Sequence, residues 1–211
     1  MRAAACMIQD PDLSYETSLW QYYQDIAGMD EAGRGALAGP VAVGAVILPH
    51  KDAQLASTLT GLRDSKQMTP LEREALAPRI RQIARAWAVG FASAEEIDSD
   101  GIVCATRLAA LRALNELSIA PHYLLTDFRL ELPQLEISQT SLVRGDALCL
   151  SIAAASVLAK TARDDLMREL DLYYQGYELG KHKGYGTRRH RSALERLGMS
   201  FIHRKSFQVK K

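Results

Sequence analysis

Asp30 and Glu31 stand side by side where an apolar run, Ile26 to Asp30, meets a glycine-rich turn. Two carboxylates that close resist joint ionisation at the end of a buried strand. A divalent cation removes the conflict, and carboxylate oxygens are the ligands that Mg²⁺ and Mn²⁺ take. Side chains alternate along a strand, so Asp30 is the expected inward ligand, with Glu31 reaching the site because the chain turns there. Asp127 closes a second apolar run, Tyr123 to Thr126. An Asp in such a place commonly forms a turn, yet sites in open α/β sheets gather at the carboxyl ends of strands. Asp146 follows Gly145 ahead of a long helical stretch, where it can serve as helix N-cap, as ligand, or as both.

Around these acids lie groups suited to sugars and phosphates. Gly33 and Gly35 flank Arg34 and bare their backbone N–H and C=O groups to close approach. Asp64-Ser65-Lys66 is a surface turn or a lysine reaching for phosphate. Lys160 and Asp164 lie four apart on a helix, which an exposed ion pair explains. Lys181-His182-Lys183-Gly184-Tyr185-Gly186-Thr187 runs into Arg188-Arg189-His190-Arg191. It joins glycines and cations to Tyr185, whose ring can anchor the loop or pack against a sugar or base. No Ser or Cys stands beside a convincing His base, and His182 sits in a basic setting. Taken singly, each of these features has an ordinary structural explanation.

The elements that must position them follow from pattern. Residues 15–25 suggest a short helix. Ile26 to Asp30 and Val41 to Leu48 suggest paired strands, and Trp87 to Ser93 a third. Thr69-Pro70 opens a helix by cap and first-position proline, expected to run to about Arg85. A helical period covers Ile102 to Leu117. Tyr123 to Asp127 suggests a short buried strand, with weaker strand signals at Leu135 to Ile137 and Ser141 to Val143. Long and short helices are expected at Ala147 to Tyr174 and Arg188 to Leu197. Strands joined by turns, then strands alternating with helices, imply a mixed α/β sheet covered by helices.

The 211 residues are 47% hydrophobic and 24% charged, enough for a substantial core and against disorder. No apolar run is long enough to span a membrane, and the first residues do not form a secretory signal, so a cytoplasmic protein is expected. Cys6, Cys104 and Cys149 are far apart and odd in number, which fits reduced thiols rather than a disulfide frame or zinc site. Net charge is only +1, but Lys181 to Lys211 holds ten Lys and Arg against Glu195 alone. A basic segment beside an acidic body suits a protein that grips phosphate in one place and binds cations in another. A solvated basic tail is the plainer alternative.

In their order along the chain, these pieces resemble ribonuclease HII, the type 2 ribonuclease H family. The motifs are DEAGRG, the DSK triplet, the strand-closing Asp127, GDALCLSIAAASVLAK with its following ARD, HKGYGT, and a final IHRKSF. The likeness runs from about Ile26 to Phe207, leaving residues 1–25 as an N-terminal extension before a catalytic domain at 26–211. Ala36 stands where many relatives have Pro, and Phe128 follows Asp127 where a small residue is usual.

The resemblance implies a ribonuclease H-like fold: a mixed five-stranded sheet flanked by helices, with a helical C-terminal portion. It implies a two-metal site for Mn²⁺ or Mg²⁺ on Asp30, Glu31, Asp127 and Asp146. Gly33, Arg34 and Gly35 become the turn that senses a 2′-hydroxyl, and Tyr185 the ring that packs on the sugar at an RNA–DNA junction. Lys66 and Lys160 fall near phosphates. The expected partner is an RNA–DNA hybrid or duplex DNA containing ribonucleotides, cut by a monomer to 5′-phosphate and 3′-hydroxyl ends. Another nuclease of this fold, such as a junction resolvase, and an inactive nucleic-acid-binding module remain as alternatives. The first is separated by a ribonucleotide requirement, the second by metal-dependent turnover.

Overall fold

The computed structural model describes residues 10–207 except 51, 53, 64 and 129. Cys6 and Asp64 of the DSK triplet lie outside the described residues, as do 208–211 at the end of the basic segment. In chain order the elements are α1 (Ser14–Leu19), β1 (Ile26–Ala32), β2 (Val41–Ile47), α2 (Leu55–Thr58), α3 (Pro70–Ile83), β3 (Ala86–Ala92) and α4 (Ala94–Glu116). They continue with β4 (Tyr123–Asp127), β5 (Ser138–Leu142), a 3-10 turn at Gly145–Ala147, α5 (Leu150–Tyr173), α6 (Leu179–His182) and α7 (Arg188–Leu197).

The strands form one mixed sheet in the order β3-β2-β1-β4-β5. β1 and β2 are antiparallel, as are β2 and β3, while β4 and β5 add in parallel beside β1. Alternation sorts the side chains. Val41, Val43, Ala45 and Ile47 of β2 face a core completed by Ala105, Ala109 and Ala113 of α4. Val46 packs on the opposite face with α3 and with Ala153, Ala154 and Val157 of α5.

α5 lies almost on the sheet backbone. A Cβ at Gly28 would come within 2.2 Å of Ser151 C, and one at Gly44 within 2.3 Å of Ala155 O. The alanine- and serine-rich face of α5 and these two glycines therefore form one close contact. Asp30, two residues beyond Gly28 on the same strand, falls on the same face of the sheet.

Local signals account for several boundaries. Thr69 caps α3 with Pro70 at its start, as expected; Glu72 completes a capping box there, and Ser93 with Glu96 makes another for α4. Gly101, at φ 79°, kinks α4, so the periodic stretch from Ile102 is only its second half. α1 ends at Leu19 rather than near residue 25. The weak strand signals around residue 140 resolve into a single strand, Ser138–Leu142; Leu135 to Ile137 is not part of it. That edge strand is half-exposed and polar, so no apolar alternation marked it.

The largest departure is at the start of α5. The chain does not enter that helix at Ala147 with Asp146 as its cap. Arg144 takes a left-handed conformation (φ 59°), Gly145–Ala147 forms the 3-10 turn, and extended Cys149 is the N-cap without a side-chain cap of its own. The cap comes from far away: Glu16 Oε1 accepts the Ser151 N–H at 2.7 Å and the Cys149 thiol at 3.0 Å. Asp12 adds backbone bonds to Leu148 and Leu150. Among the described residues, Cys104 and Cys149 are free, and no helix is long and apolar enough to cross a membrane.

Candidate active site

β1 and β4 run in parallel, with Met29 opposite Thr126. One step further places Asp30 and Asp127 beside each other on the face covered by α5. Asp127 Oδ1 accepts the Gly145 N–H at 2.7 Å, which fastens the 3-10 turn and its Asp146 to the end of β4. Glu31 follows Asp30 at the strand end, and its carboxylate lies 3.6 Å from Arg34. The Lys66 ammonium is 3.8 Å from Asp146 Oδ2. The four acids singled out in the sequence thus gather at one end of the sheet.

Their environment is unfavourable to charge. Asp30 is 2% exposed, and its Oδ2 has no hydrogen-bond partner; neither does the buried Glu31 Oε2. Burial, then the charges of Glu31 and Asp127, push the Asp30 carboxyl well above the ordinary range, with Asp146 adding to the rise and the Ser156 hydroxyl opposing it. Burial also raises Glu31, against the pull of Arg34. Among the described residues no three His, Cys, Asp or Glu side chains already have the spacing to hold an ion. The acids converge, but they are not drawn into coordination geometry.

The turn after β1 requires Gly33, which has φ 86°. Gly35 is different: a Cβ there would meet nothing within 4 Å, so its bareness serves no internal packing. Tyr185 is half-buried, and its ring lies 5.4 Å from both Lys160 Nζ and Arg163 Cζ. The Lys160–Asp164 pair is not the exposed pair expected. The two side chains are 17% and 8% exposed, bonded at 2.6 Å, with Arg73 approaching the same carboxylate at 3.5 Å. α3 packs against α5 here, which removes that helix face from water.

Sequence reading missed several residues that the structure brings to this region. Ser156 borders Asp30 and bonds Ser65 at 2.7 Å, tying the Lys66 loop to α5. Arg163 and Arg204 are fully buried. His182, His190 and His203 form a buried cluster behind Tyr185, the first two stacked at 4.3 Å. An arginine on an otherwise small-residue helix was the one available hint of Arg163. His182 and His190 stand in the basic stretch noted in the sequence, but their spacing gave no sign that they stack or that His203 joins them.

Sheet order, covering helices and acids at the strand ends together define a ribonuclease H fold. The structure of ribonuclease H2 from Pyrococcus horikoshii superposes with a TM-score of 0.75, at 26% identity, covering 88% of this chain and 94% of that one. Bst-RNase HIII in complex with Mn²⁺ gives 0.64 at 16% identity, over 87% of this chain and 67% of that one, a likeness of fold. Residues 27–210 match the family "Ribonuclease HII", and the ribonuclease HII of Desulfitobacterium hafniense is 52% identical over 92% of this chain and 73% of its own. The chain belongs to the ribonuclease HII family and is an endoribonuclease acting on RNA–DNA.

Proposed function

We propose that this endoribonuclease depends on Mg²⁺ or Mn²⁺ held by Asp30, Glu31, Asp127 and Asp146. It hydrolyses the RNA strand of hybrids and cuts at ribonucleotides embedded in duplex DNA, leaving 5′-phosphate and 3′-hydroxyl ends. The observation that carries this reading is the pair of buried, unpartnered carboxylate oxygens on Asp30 and Glu31. A buried acceptor without a donor is costly, and hard oxygens of this kind suit a hard divalent cation. When bound, such cations lower the pKa of the attacking water and stabilise charge on the departing oxygen.

The chain's own residues do the rest. Asp127 and Asp146 are held together through the Gly145 N–H, so they face substrate as one unit. The Gly33 to Gly35 turn offers backbone groups to the 2′-hydroxyl, the group that separates ribose from deoxyribose. Open space over Gly35 leaves room for that sugar. Arg34, Lys66 and Lys160 lie near enough to neutralise phosphates, and the Tyr185 ring packs on the following deoxyribose. No protein nucleophile is used. We place the catalytic unit at residues 26–211, acting as a monomer in the cytoplasm.

The test is single-turnover cleavage of a DNA duplex carrying one ribonucleotide, in chelator and then with Mg²⁺ or Mn²⁺. Cleavage only with metal is expected, at the phosphodiester 5′ to the ribonucleotide, leaving a 3′-hydroxyl on the upstream piece and a 5′-phosphate on the ribonucleotide. Cutting of an all-DNA duplex, or full activity in chelator, overturns the reading.

A further inference from the structure

Arg163 is among the largest side chains wholly withdrawn from solvent. No carboxylate among the described residues forms an ion pair with it. Its guanidinium is spent on backbone: Nε donates to Pro40 O at 2.8 Å, Nη2 to Ala38 O at 3.1 Å, and Nη1 to Lys183 O at 2.9 Å. Ala38 and Pro40 follow directly from the Gly33 to Gly35 turn, and Lys183 precedes Gly184 and Tyr185. One side chain therefore bonds both segments proposed to touch substrate.

Four more contacts bind the same junction. Leu37 and Ala38 donate their N–H groups to Gly184 O at 2.8 and 3.3 Å. The Tyr185 ring stands 5.4 Å from Arg163 Cζ. A Cβ on Gly33 would fall 1.8 Å from Arg163 Nε, so the guanidinium passes directly beneath the turn. Burying this charge is costly, and burial indeed lowers the Arg163 pKa. A fold keeps such a group where a rigid, planar set of donors does what a flexible ammonium cannot.

We propose that Arg163 is a positioning residue that fixes the span between the Gly33 to Gly35 turn and the Tyr185 ring, and thereby sets how strictly the enzyme selects a junction between a ribonucleotide and a deoxyribonucleotide. The proposal rests on the substrate roles given above to the turn and the ring. Those two probes address neighbouring sugars, whose spacing is fixed by the nucleic acid. Selection therefore requires that the probes hold a fixed spacing of their own, and misplacement on the scale of an ångström is enough to degrade it.

The experiment compares Arg163→Lys, Tyr185→Ala and the double variant with wild type. It measures the ratio of single-turnover rates on a duplex with one embedded ribonucleotide to those on a uniform RNA–DNA hybrid. Thermal unfolding and Mn²⁺ calorimetry accompany each variant, and Arg163→Gln, which keeps amide donors, replaces Arg163→Lys should the latter not fold. Arg163→Lys is expected to lower the ratio about tenfold, the scale of coupling between contacting residues, with Mn²⁺ binding unchanged. In the Tyr185→Ala background it should lower the ratio no further. A folded Arg163 variant with a wild-type ratio overturns the proposal, as does an effect that simply adds to that of Tyr185→Ala. If Tyr185→Ala itself leaves the ratio unchanged, the role given to the ring fails, and the proposal with it.

Discussion

The molecule buries charge in two places and treats it in opposite ways. At the strand ends, four carboxylates crowd together, and Asp30 Oδ2 and Glu31 Oε2 have no hydrogen-bond partner. Behind the neighbouring turn, Arg163 spends its donors on three carbonyls, and Arg204 donates to Gly39 O at 3.0 Å and Arg34 O at 2.9 Å, although its Nη2 has no partner. Burial lowers Arg204 to about 9, so it stays cationic at neutral pH. A buried charge satisfied by backbone rigidifies the chain around it. One left unsatisfied is strained until a partner of opposite charge arrives. The cationic region is frame, and the anionic region is the proposed site.

Asp30→Asn attacks that contrast most directly. The side chain keeps its shape and loses its charge. Cleavage should fall by about three orders of magnitude or more, because cation-assisted charge stabilisation supplies several kcal/mol. In chelator the melting temperature should hold or rise, since one of four mutually repelling acids is gone. A loss of stability together with activity would make Asp30 a structural residue, and the contrast would collapse. Single-turnover kinetics and thermal unfolding of the same preparation decide it.

A smaller effect is expected from the exposed cations. Arg188, Arg189 and Arg191 lie on the solvent face of α7, unlike Arg163 and Arg204. Replacing all three by Ala should weaken binding to every duplex alike and reduce the salt slope by about one for each residue that reaches a phosphate. Stability should barely change. Binding titrations across salt concentrations, on hybrid and on all-DNA duplex, check both points. An unchanged slope would place the phosphate grip elsewhere.

Glu16 sharpens the comparison, because it is a buried acid that is partly satisfied. Burial raises its pKa, yet Oε1 accepts two hydrogen bonds at the start of α5. Glu16→Gln preserves that acceptor and should be tolerated. Glu16→Ala removes the cap and should cost about 1–2 kcal/mol, in the range of lost N-caps. The same change from acid to amide is thus expected to be severe at Asp30 and mild at Glu16, read by kinetics for one and denaturant unfolding for the other.

These elements also mark what sequence could and could not convey. Asp30, Glu31 and Asp127 were legible because strand ends show in an apolar run and its closing acid. Asp146 was singled out, but the helix cap offered for it does not form. A helix cap is expected from the adjacent residue, whereas here the left-handed Arg144 delays the helix and Glu16 reaches it from the N-terminal segment. β5 gave only the weak signal at Ser141 to Val143, because a polar edge strand has no apolar period to detect. The first turns of α4 escaped because Gly101 broke the repeat. Arg163 and the histidines act through contacts between distant segments, which no local pattern encodes.

The smallest expected effect concerns those histidines, where a fully satisfied network makes its protonation state predictable. His190 Nδ1 faces Tyr185 O at 3.1 Å and must donate, so its Nε2 accepts from His203 Nε2, also at 3.1 Å. His203 Nδ1 then accepts from the Ser200 N–H at 3.0 Å. These bonds require both rings to be neutral. Burial, then the neighbouring His182, depresses His190 to about 4 from 6.5. The unfolded chain therefore binds the proton more readily than the folded one. The stabilisation is fully present above about pH 6.5 and is lost as pH falls toward about 4. His190→Asn keeps a donor for Tyr185 O and removes the titration, so its melting temperature should be lower at pH 7 but fall less steeply between pH 6.5 and 4. Thermal unfolding across that window is the measurement. If wild type and variant lose stability in parallel, the imidazoles titrate freely, and the frame behind Tyr185 is looser than its hydrogen bonds imply.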